Sequence, residues 1–373
     1  MKIVEVSSDA DRKNFLKVPH RIYQNDPFWV CPLNPEVEAV FDPQKNNFHS
    51  HGESTRWIVY DENGSGIGRI AAFINRKKAG TYPVPTGGMG FYEVIEDKKV
   101  SDLLLDTAKL WLKNRGMQAA EAPINFGEND SFWGLLIEGF TAPFLGMNYN
   151  LPYYQGFLED YGFKKSYDQI SNILYHKRPF PERFTKIAEW VSKKPGYSFD
   201  HLHRNQYAKF ASDFKEIYND AWRDFKNFVP VNDATILETF KKLGPIMDEK
   251  LMWFAYVNNE PVSFVIIIPD ANVWIKSLKG SMNLIGKLKF LWNRYTIKPK
   301  RMRAIVMGTK TAFQKHGLES VLFIKLKEYV LPMNQYEELE LSWVGDFNEK
   351  MMSIHKATNS VFGKRHRTYK IQF

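Results

Sequence analysis

The chain has 373 residues, 44% of them hydrophobic, 15% aromatic and 25% charged. At ~150 residues per domain this suffices for two to three domains with a large core, which excludes a fibre, a disulfide-stapled mini-protein and a disordered tail. Lys and Arg exceed Asp and Glu by 51 to 42, a net charge of +9, which raises the question of a phosphate-bearing partner.

The charge is concentrated. No Asp or Glu occurs between Ala271 and Leu318, whereas Lys276, Lys279, Lys287, Lys289, Arg294, Lys298, Lys300, Arg301, Arg303, Lys310 and Lys315 all lie there. These eleven charges exceed the net charge of the whole chain, so the basicity is local and a ligand or surface carrying phosphates is its simplest partner. The one cysteine, Cys31, cannot form an internal bridge and suits a reducing compartment. Met1 to Asn14 alternates apolar and charged residues without a signal-peptide core, and no run of ~18 apolar residues occurs. A cytoplasmic location is expected, extending to a peripheral place on the inner membrane face.

Alternating apolar runs bounded by turn residues predict strands, and amphipathic stretches predict helices. Strands at Arg56 to Tyr60 and Gly68 to Asn75 flank the turn Asp61-Glu62-Asn63-Gly64-Ser65-Gly66, a hairpin signal. A strand at Gly90 to Ile95 follows, then a helix capped by Ser101-Asp102 and running to Asn114, with Gly116 as its stop. A strand at Ala119 to Asn125, a long Gly- and aromatic-rich loop, a short helix at Pro152 to Asp160 and a strand at Tyr167 to His176 complete the series. Beyond Lys177-Arg178-Pro179-Phe180-Pro181 the order repeats. Helices are predicted at Asn205 to Trp222 and Asp233 to Leu243, and a hairpin of Met252 to Val257 and Pro261 to Ile268 turns at Asn258-Asn259. After the basic segment come a strand at Arg303 to Met307, a helix at Leu318 to Val330, a strand at Glu338 to Val344, a helix at Asn348 to Thr358 and a strand at Arg367 to Phe373. The chain is therefore read as α/β with two copies of one topology, 1–178 and 179–373.

Gln314-Lys315-His316-Gly317-Leu318-Glu319 lies just after a strand and opens a helix. Unpaired backbone amides at a helix start, on its positive dipole end, cradle a diphosphate, and a glycine lets the backbone approach closely. The segment resembles the pyrophosphate loop of the GNAT superfamily of acyl-CoA N-acyltransferases, in which Arg or Gln is followed after two residues by Gly and, one residue further on, by Gly or Ala. Glu319 stands where a small residue is usual and brings negative charge near the phosphates. Asn348 is followed at the family's spacing by His355 in place of a tyrosine, and by Asn359 in place of a glycine.

The resemblance implies two tandem GNAT-like domains, each a mixed, mostly antiparallel sheet flanked by helices. It also implies acetyl-CoA or a longer acyl-CoA held in the C-terminal copy by Met307, Gln314, Lys315, His316, Gly317, Leu318 and Asn348, the backbone near Met307 meeting the oxyanion. Thioester aminolysis requires a base, oxyanion stabilisation and protonation of the thiolate. His355 is expected to serve the thiolate with a pKa matched to neutral pH. Glu340, opposite in facing to Leu339 and Leu341 by strand alternation, is the expected base.

In the N-terminal copy, Glu93-Val94-Ile95-Glu96-Asp97 occupies the pyrophosphate position, so this copy is expected to be degenerate and to bind no CoA. Its long loop, with Tyr218-Asn219-Asp220-Ala221-Trp222 and Glu340-Leu341-Ser342-Trp343-Val344, resembles a bacterial family of tandem-GNAT, YghO-like proteins. Asn125, Asn129, Asp130 and Trp133, with Ser342, are expected to shape a pocket for a small-molecule or lipid amine. Leu284, Leu288, Leu291, Trp292 and Tyr295 recur at helical spacing among cations, so 284–303 is also a candidate contact with an anionic membrane.

An N-acyltransferase working by direct attack in a ternary complex is the leading expectation. A tandem-GNAT aminoacyltransferase using charged tRNA and an inert lipid- or metabolite-binding module are the alternatives. No specific nucleic acid is expected, because most of the aromatics cluster in core-like runs away from the basic segment. No metal is expected either, because His49-x-His51 and His201-x-His203 are read as lacking a carboxylate at ligand spacing.

Overall fold

Two successive series of strands and helices build the protein, whose computed structural model describes residues 1–129, 131–224 and 230–373. The first comprises β1 (Lys2–Glu5), α1 (Asp9–Ile22), α2 (Asn34–Phe41), β2 (Gly52–Tyr60), β3 (Gly66–Asn75), the one-turn α3 (Arg76–Ala79), β4 (Thr86–Val94), α4 (Lys98–Lys113), β5 (Ala119–Ala122), β6 (Leu135–Glu138), α5 (Tyr154–Tyr161) and β7 (Lys164–Tyr175). The second comprises α6 (Glu182–Ser192), β8 (Tyr197–His201), α7 (Tyr207–Trp222), α8 (Asp233–Leu243), β9 (Met252–Val257), β10 (Glu260–Pro269), α9 (Asn272–Ile275), α10 (Leu284–Thr296), β11 (Arg301–Thr309), α11 (Leu318–Val330), β12 (Glu338–Gly345), α12 (Glu349–Ala357) and β13 (Val361–Gln372).

Local chemistry explains the element ends. Asn258 and Asn259 both take positive φ, as a tight β9–β10 turn demands. Helix α4 starts at Lys98 because the Asp97 carboxylate accepts from the Lys99 amide. The expected cap Ser101 instead lies buried one turn inside, paired with the Tyr92 hydroxyl at 2.6 Å. Strand β13 begins at Val361, earlier than the expected Arg367.

The strands form one sheet in the order β1-β2-β3-β4-β5-β13-β7-β12-β11-β10-β9-β8, with β6 also on β13. Read outward from the β13–β7 pair, the two flanks repeat: β5, β4, β3 and β2 on one side match β12, β11, β10 and β9 on the other. The last strand of each series crosses to the other flank, since β13 pairs with β5 and β7 with β12. The longest pairing, β13 with β7 from Val361↔Ile173 to Lys370↔Lys164, joins the flanks. Each parallel pair, β4 with β5 and β11 with β12, is bridged by one helix, α4 or α11.

Helices cover both faces of the sheet. In the second flank, Met302, Ala304, Leu339 and Leu341 pack with α6 and α11. Phe254, Phe264 and Ile266 pack the opposite face against α7 and α8. Strand alternation therefore sends Arg303 and Glu340 away from α11. Among the described residues, no helix is long and apolar enough to cross a membrane.

Candidate functional site

The two parallel pairs split in different ways. In the first flank, pairing ends at Gly88↔Glu121, and the gap holds the Ile124 backbone, whose amide donates to Met89 O at 2.8 Å. A Cβ on Gly90 would lie 1.8 Å from Ile124 O. Met89, Phe91 and Tyr92 are all buried. Beyond them the part-buried Glu93 accepts from Tyr23 at 2.5 Å and Tyr154 at 3.0 Å.

In the second flank, pairing ends at Ala304↔Leu341, and Ile305, Val306 and Met307 face Ser342 and Trp343 with all five part-exposed. Opposite β7, register shifts between Leu341 and Val344, so Ser342 and Trp343 form a bulge, which re-aims side chains at a sheet opening. Helix α11 begins beyond this opening. Its cap residue Gly317 has φ +76° and no capping side chain. Among the described residues, the amides of Lys315, Gly317, Leu318 and Glu319 have no hydrogen-bond acceptor, while Lys315 and His316 are exposed beside them. This set of free donors and a nearby cation fits a diphosphate.

On the sheet face opposite α11, an open cleft adjoins the split. Gln169, Arg303, Trp343 and His366 form its floor, and Asn129, Ser131, Trp133 and 146–148 form its wall. Glycine brings the wall close: a Cβ on Gly134, at φ +80°, would meet Gln169 Oε1 at 2.5 Å. Residues 139–148 then cross the flank junction as a strap held through its carbonyls. Lys364 donates to Gly139 O at 3.1 Å and Thr141 O at 2.9 Å. Arg301 donates to Ala142 O and Pro143 O at 3.1 and 3.2 Å, and Arg303 to Leu145 O at 2.6 Å. His366 Nε2 donates to Asn148 O at 2.9 Å.

Beneath the strap lies a buried charge cluster. Glu340 is 0% exposed with both carboxylate oxygens lacking a hydrogen bond, although Arg303 Nε is 3.4 Å from Oε1. Burial pushes its carboxyl up to about 7, against the pull of Arg303, Lys364 and Arg301. The same burial pushes the Lys364 ammonium down to about 8. Asp270 pairs with Arg301 and is also raised by burial.

The expected site residues fall into separate places. Asn129 and Trp133 reach the cleft and both donate to the Tyr167 hydroxyl, at 3.1 and 3.0 Å. Ser342 stands at the split and accepts from Arg303 Nε at 3.0 Å. Asn125 is buried with Oδ1 unpartnered and is not among the cleft residues. Asp130 lies outside the described residues. Met307 borders the split, Gln314 Nε2 donates to Thr309 O at 3.4 Å, and Leu318 is buried under the helix start. Asn348 caps α12 by accepting from Met351 N.

His355 lies on the α11 face, its Nδ1 accepting from Asn172 Nδ2 at 3.0 Å, which puts the ring proton on Nε2. The expected near-neutral pKa is corrected, because burial pushes this imidazole down to about 4. His366 is likewise held at about 4 by burial. Both rings stay neutral in the fold and protonate on unfolding, so their stabilisation is complete above about 6.5 and is lost as pH falls toward 4. Urea midpoints measured from pH 7 to 4 should fall, and His355→Gln should flatten the slope by about 1.4 kcal/mol per pH unit over that window.

The sequence assigned no site role to Gln169, Lys364 or His366, and Arg303 counted only among the cations of the basic segment, whereas it turns inward to Glu340. Lys364, His366 and Thr368 share the buried side of β13, but Arg365 and Arg367 between them are polar as well, so no alternation in the sequence marks them. The reading of the histidine pair also needs correction. Asp200 stands with His201 and His203, their ligand atoms within 4.8 Å of one another, so a carboxylate does accompany the pair. They are already engaged: His203 donates to Asp200 at 3.0 Å and His201 Nδ1 to Leu202 O at 2.8 Å. Cys31 Sγ lies 3.4 Å from His20 Nε2, but burial drives the thiol up to about 12 and the imidazole down, which suppresses an ion pair that would activate it.

A twin-flanked sheet with exchanged last strands, each flank carrying a parallel pair bridged by a helix, defines a tandem protein of the GNAT fold. A tandem GNAT protein from the clavulanic acid biosynthesis pathway shares this architecture at a TM-score of 0.58 and 12% identity, over 100% of this chain and 98% of that one. No protein-family model matches the chain. The chain is similar to protein YghO of Escherichia coli K12, 27% identical over 97% of this chain and 93% of that protein. It is also 29% identical to bacterial ceramide synthase of Caulobacter vibrioides, over 100% of this chain and 96% of that protein.

Proposed function

We propose that this protein transfers an acyl group from acyl-coenzyme A to a primary amine by direct attack in a ternary complex. The observation that carries this reading is the contrast between the splits: β4–β5 is filled by Ile124, whereas β11–β12 opens onto part-exposed residues and leads to free amides at 315 and 317–319. The thioester supplies an activated acyl carbonyl at the opening. Lys315, His316 and the helix-start amides hold the diphosphate, and the unpaired β11 edge near Met307 receives the carbonyl oxygen.

The amine enters from the strap side, over Arg303, Gln169 and Trp343. Its nitrogen bonds to the carbonyl carbon as the carbon–sulfur bond breaks, and its proton passes by way of a water to Glu340. The neutral His355 supplies an Nε2–H donor to the departing thiolate, which then takes a proton from solvent as the protonated Glu340 returns its own to solvent. The relative named bacterial ceramide synthase supports a long-chain acceptor. A ceramide is the amide of a long-chain amino alcohol, so such an alcohol with an acyl group longer than acetyl is the proposed pair.

Calorimetric titration with CoA and long-chain acyl-CoA tests the donor side. Lys315→Glu, an exposed change, should weaken binding about tenfold with an unchanged melting temperature, and the loss should shrink in high salt. Absence of binding by the unaltered protein at millimolar ligand would remove the reading.

A further inference from the structure

The segment between β10 and β11 presents its apolar side chains to solvent. Leu284, Ile285, Leu288, Leu291, Trp292 and Tyr295 of α10 are 58–86% exposed. At 3.6 residues per turn they occupy a continuous arc of about 120°. The opposite side of α10 faces the protein, and it does so through Gly286, Phe290 and Asn293. Asn293 Nδ2 donates to Trp274 O at 2.7 Å and Ser277 Oγ at 2.9 Å, and Phe290 meets Trp274 edge-on. A helix buried through a glycine and an asparagine with six large apolar residues outside reverses the usual arrangement of a surface helix. An exposed apolar patch of this kind marks a contact surface.

Charge identifies what it contacts. Lys289 borders the arc on one side and Lys287 and Arg294 on the other, with Lys298 just beyond the helix. None of the four has an acidic partner among the described residues, and no acidic residue occurs between Ala271 and Leu318. Other cations of that stretch turn inward: Arg301 to Asp270, Arg303 to Glu340, and Lys310 to Glu216 and Glu260. What remains outside is a convex apolar ridge containing Trp and Tyr and rimmed by positive charge, the signature of a helix lying in the headgroup region of an anionic bilayer.

The platform under α10 is braced. Asn34 N donates to Gly280 O at 2.8 Å, Lys276 donates to Pro27 O, and Asn272 Nδ2 donates to Pro143 O in the strap at 2.7 Å. We infer that α10 docks the protein on a membrane containing anionic phospholipid, with its apolar ridge in the acyl–headgroup boundary and its cations on lipid phosphates. Gly146 to Asn148 of the same strap wall the cleft, so the platform under α10 is tied to the cleft wall through the strap. The inference rests on the surface of α10 and stands whether or not the acyl-transfer reading does.

Flotation with vesicles tests it. The full-length protein should bind vesicles of phosphatidylcholine mixed with phosphatidylglycerol, bind phosphatidylcholine alone far more weakly, and dissociate as salt rises. Leu288→Glu with Trp292→Glu should lower the partition coefficient at least about tenfold without moving the melting temperature, because both side chains are exposed. Lys287→Glu with Arg294→Glu should remove the preference for the anionic lipid. Equal partitioning of the unaltered protein and the apolar double variant would overturn the inference. So would failure to bind vesicles by a protein that runs as a dimer and is split to monomers by that variant.

Discussion

Replacing Glu340 by Gln is expected to lower turnover roughly a hundred- to ten-thousand-fold, the usual contribution of a positioned general base. The unaltered enzyme should show kcat/KM rising with pH through about 7, where the buried carboxyl loses its proton, and the variant should lack that limb. Stability provides an independent readout. An acid whose pKa is raised from 4.5 to about 7 disfavours the fold once it must ionise, so the contribution of Glu340 to stability should decline as pH climbs through that interval, opposite in sign to that of His355 and His366. The decline amounts to on the order of 3 kcal/mol, and Glu340→Gln should abolish it. Chemical denaturation between pH 5 and 8 would register the difference even if no substrate were in hand. A variant with full activity and the same pH limb would remove Glu340 from the reaction.

Arg303→Met should be the most destabilising single change in the site, by about 3–5 kcal/mol at pH 8. Arg303 is the nearest cation to a fully buried carboxylate whose oxygens have no hydrogen bond, and it fastens the strap through Leu145 O. Removing it leaves an ionised Glu340 with less compensation. At pH 5 Glu340 is protonated in the fold and the cost should be clearly smaller. The double change Arg303→Met with Glu340→Leu should recover much of the loss, because replacing both members of a buried ion pair by apolar groups is often close to neutral. Denaturation midpoints of the two single variants and the double at both pH values form the test. An equal cost for Arg303→Met at pH 5 and pH 8 would show that the ion pair is not what the arginine supports.

The sequence patterns carried the repeated order of elements because that order depends on local signals: the Asn-Asn turn of β9–β10, the glycine before α11, and the alternation of β12. Leu339 and Leu341 do pack under α11 with Glu340 on the other face. Alternation fails two residues later, where the bulge at Ser342 and Trp343 adds a residue that no periodicity announces. Strand exchange was equally hidden, since a strand's neighbour is chosen by distant residues; nothing local tells β13 to pair with β5 and β7. Lys364 and His366 fell outside the strand expected at Arg367 to Phe373, and only the strap supplies the carbonyls that let these polar groups enter the core. The apolar stripe of α10 was visible, but its direction was not. Asn293, which anchors the inner face, looks on paper like a surface residue.

Hydrogen–deuterium exchange on the full-length protein, with and without a long-chain acyl-CoA, addresses the donor site directly, because it reads backbone amides on both flanks at once. Added ligand should slow exchange at 305–307 and 315–319 and leave 89–97 unchanged. Protection at 89–97 instead, or no change at either segment under saturating ligand, would contradict the assignment of the donor to the β11–β12 opening.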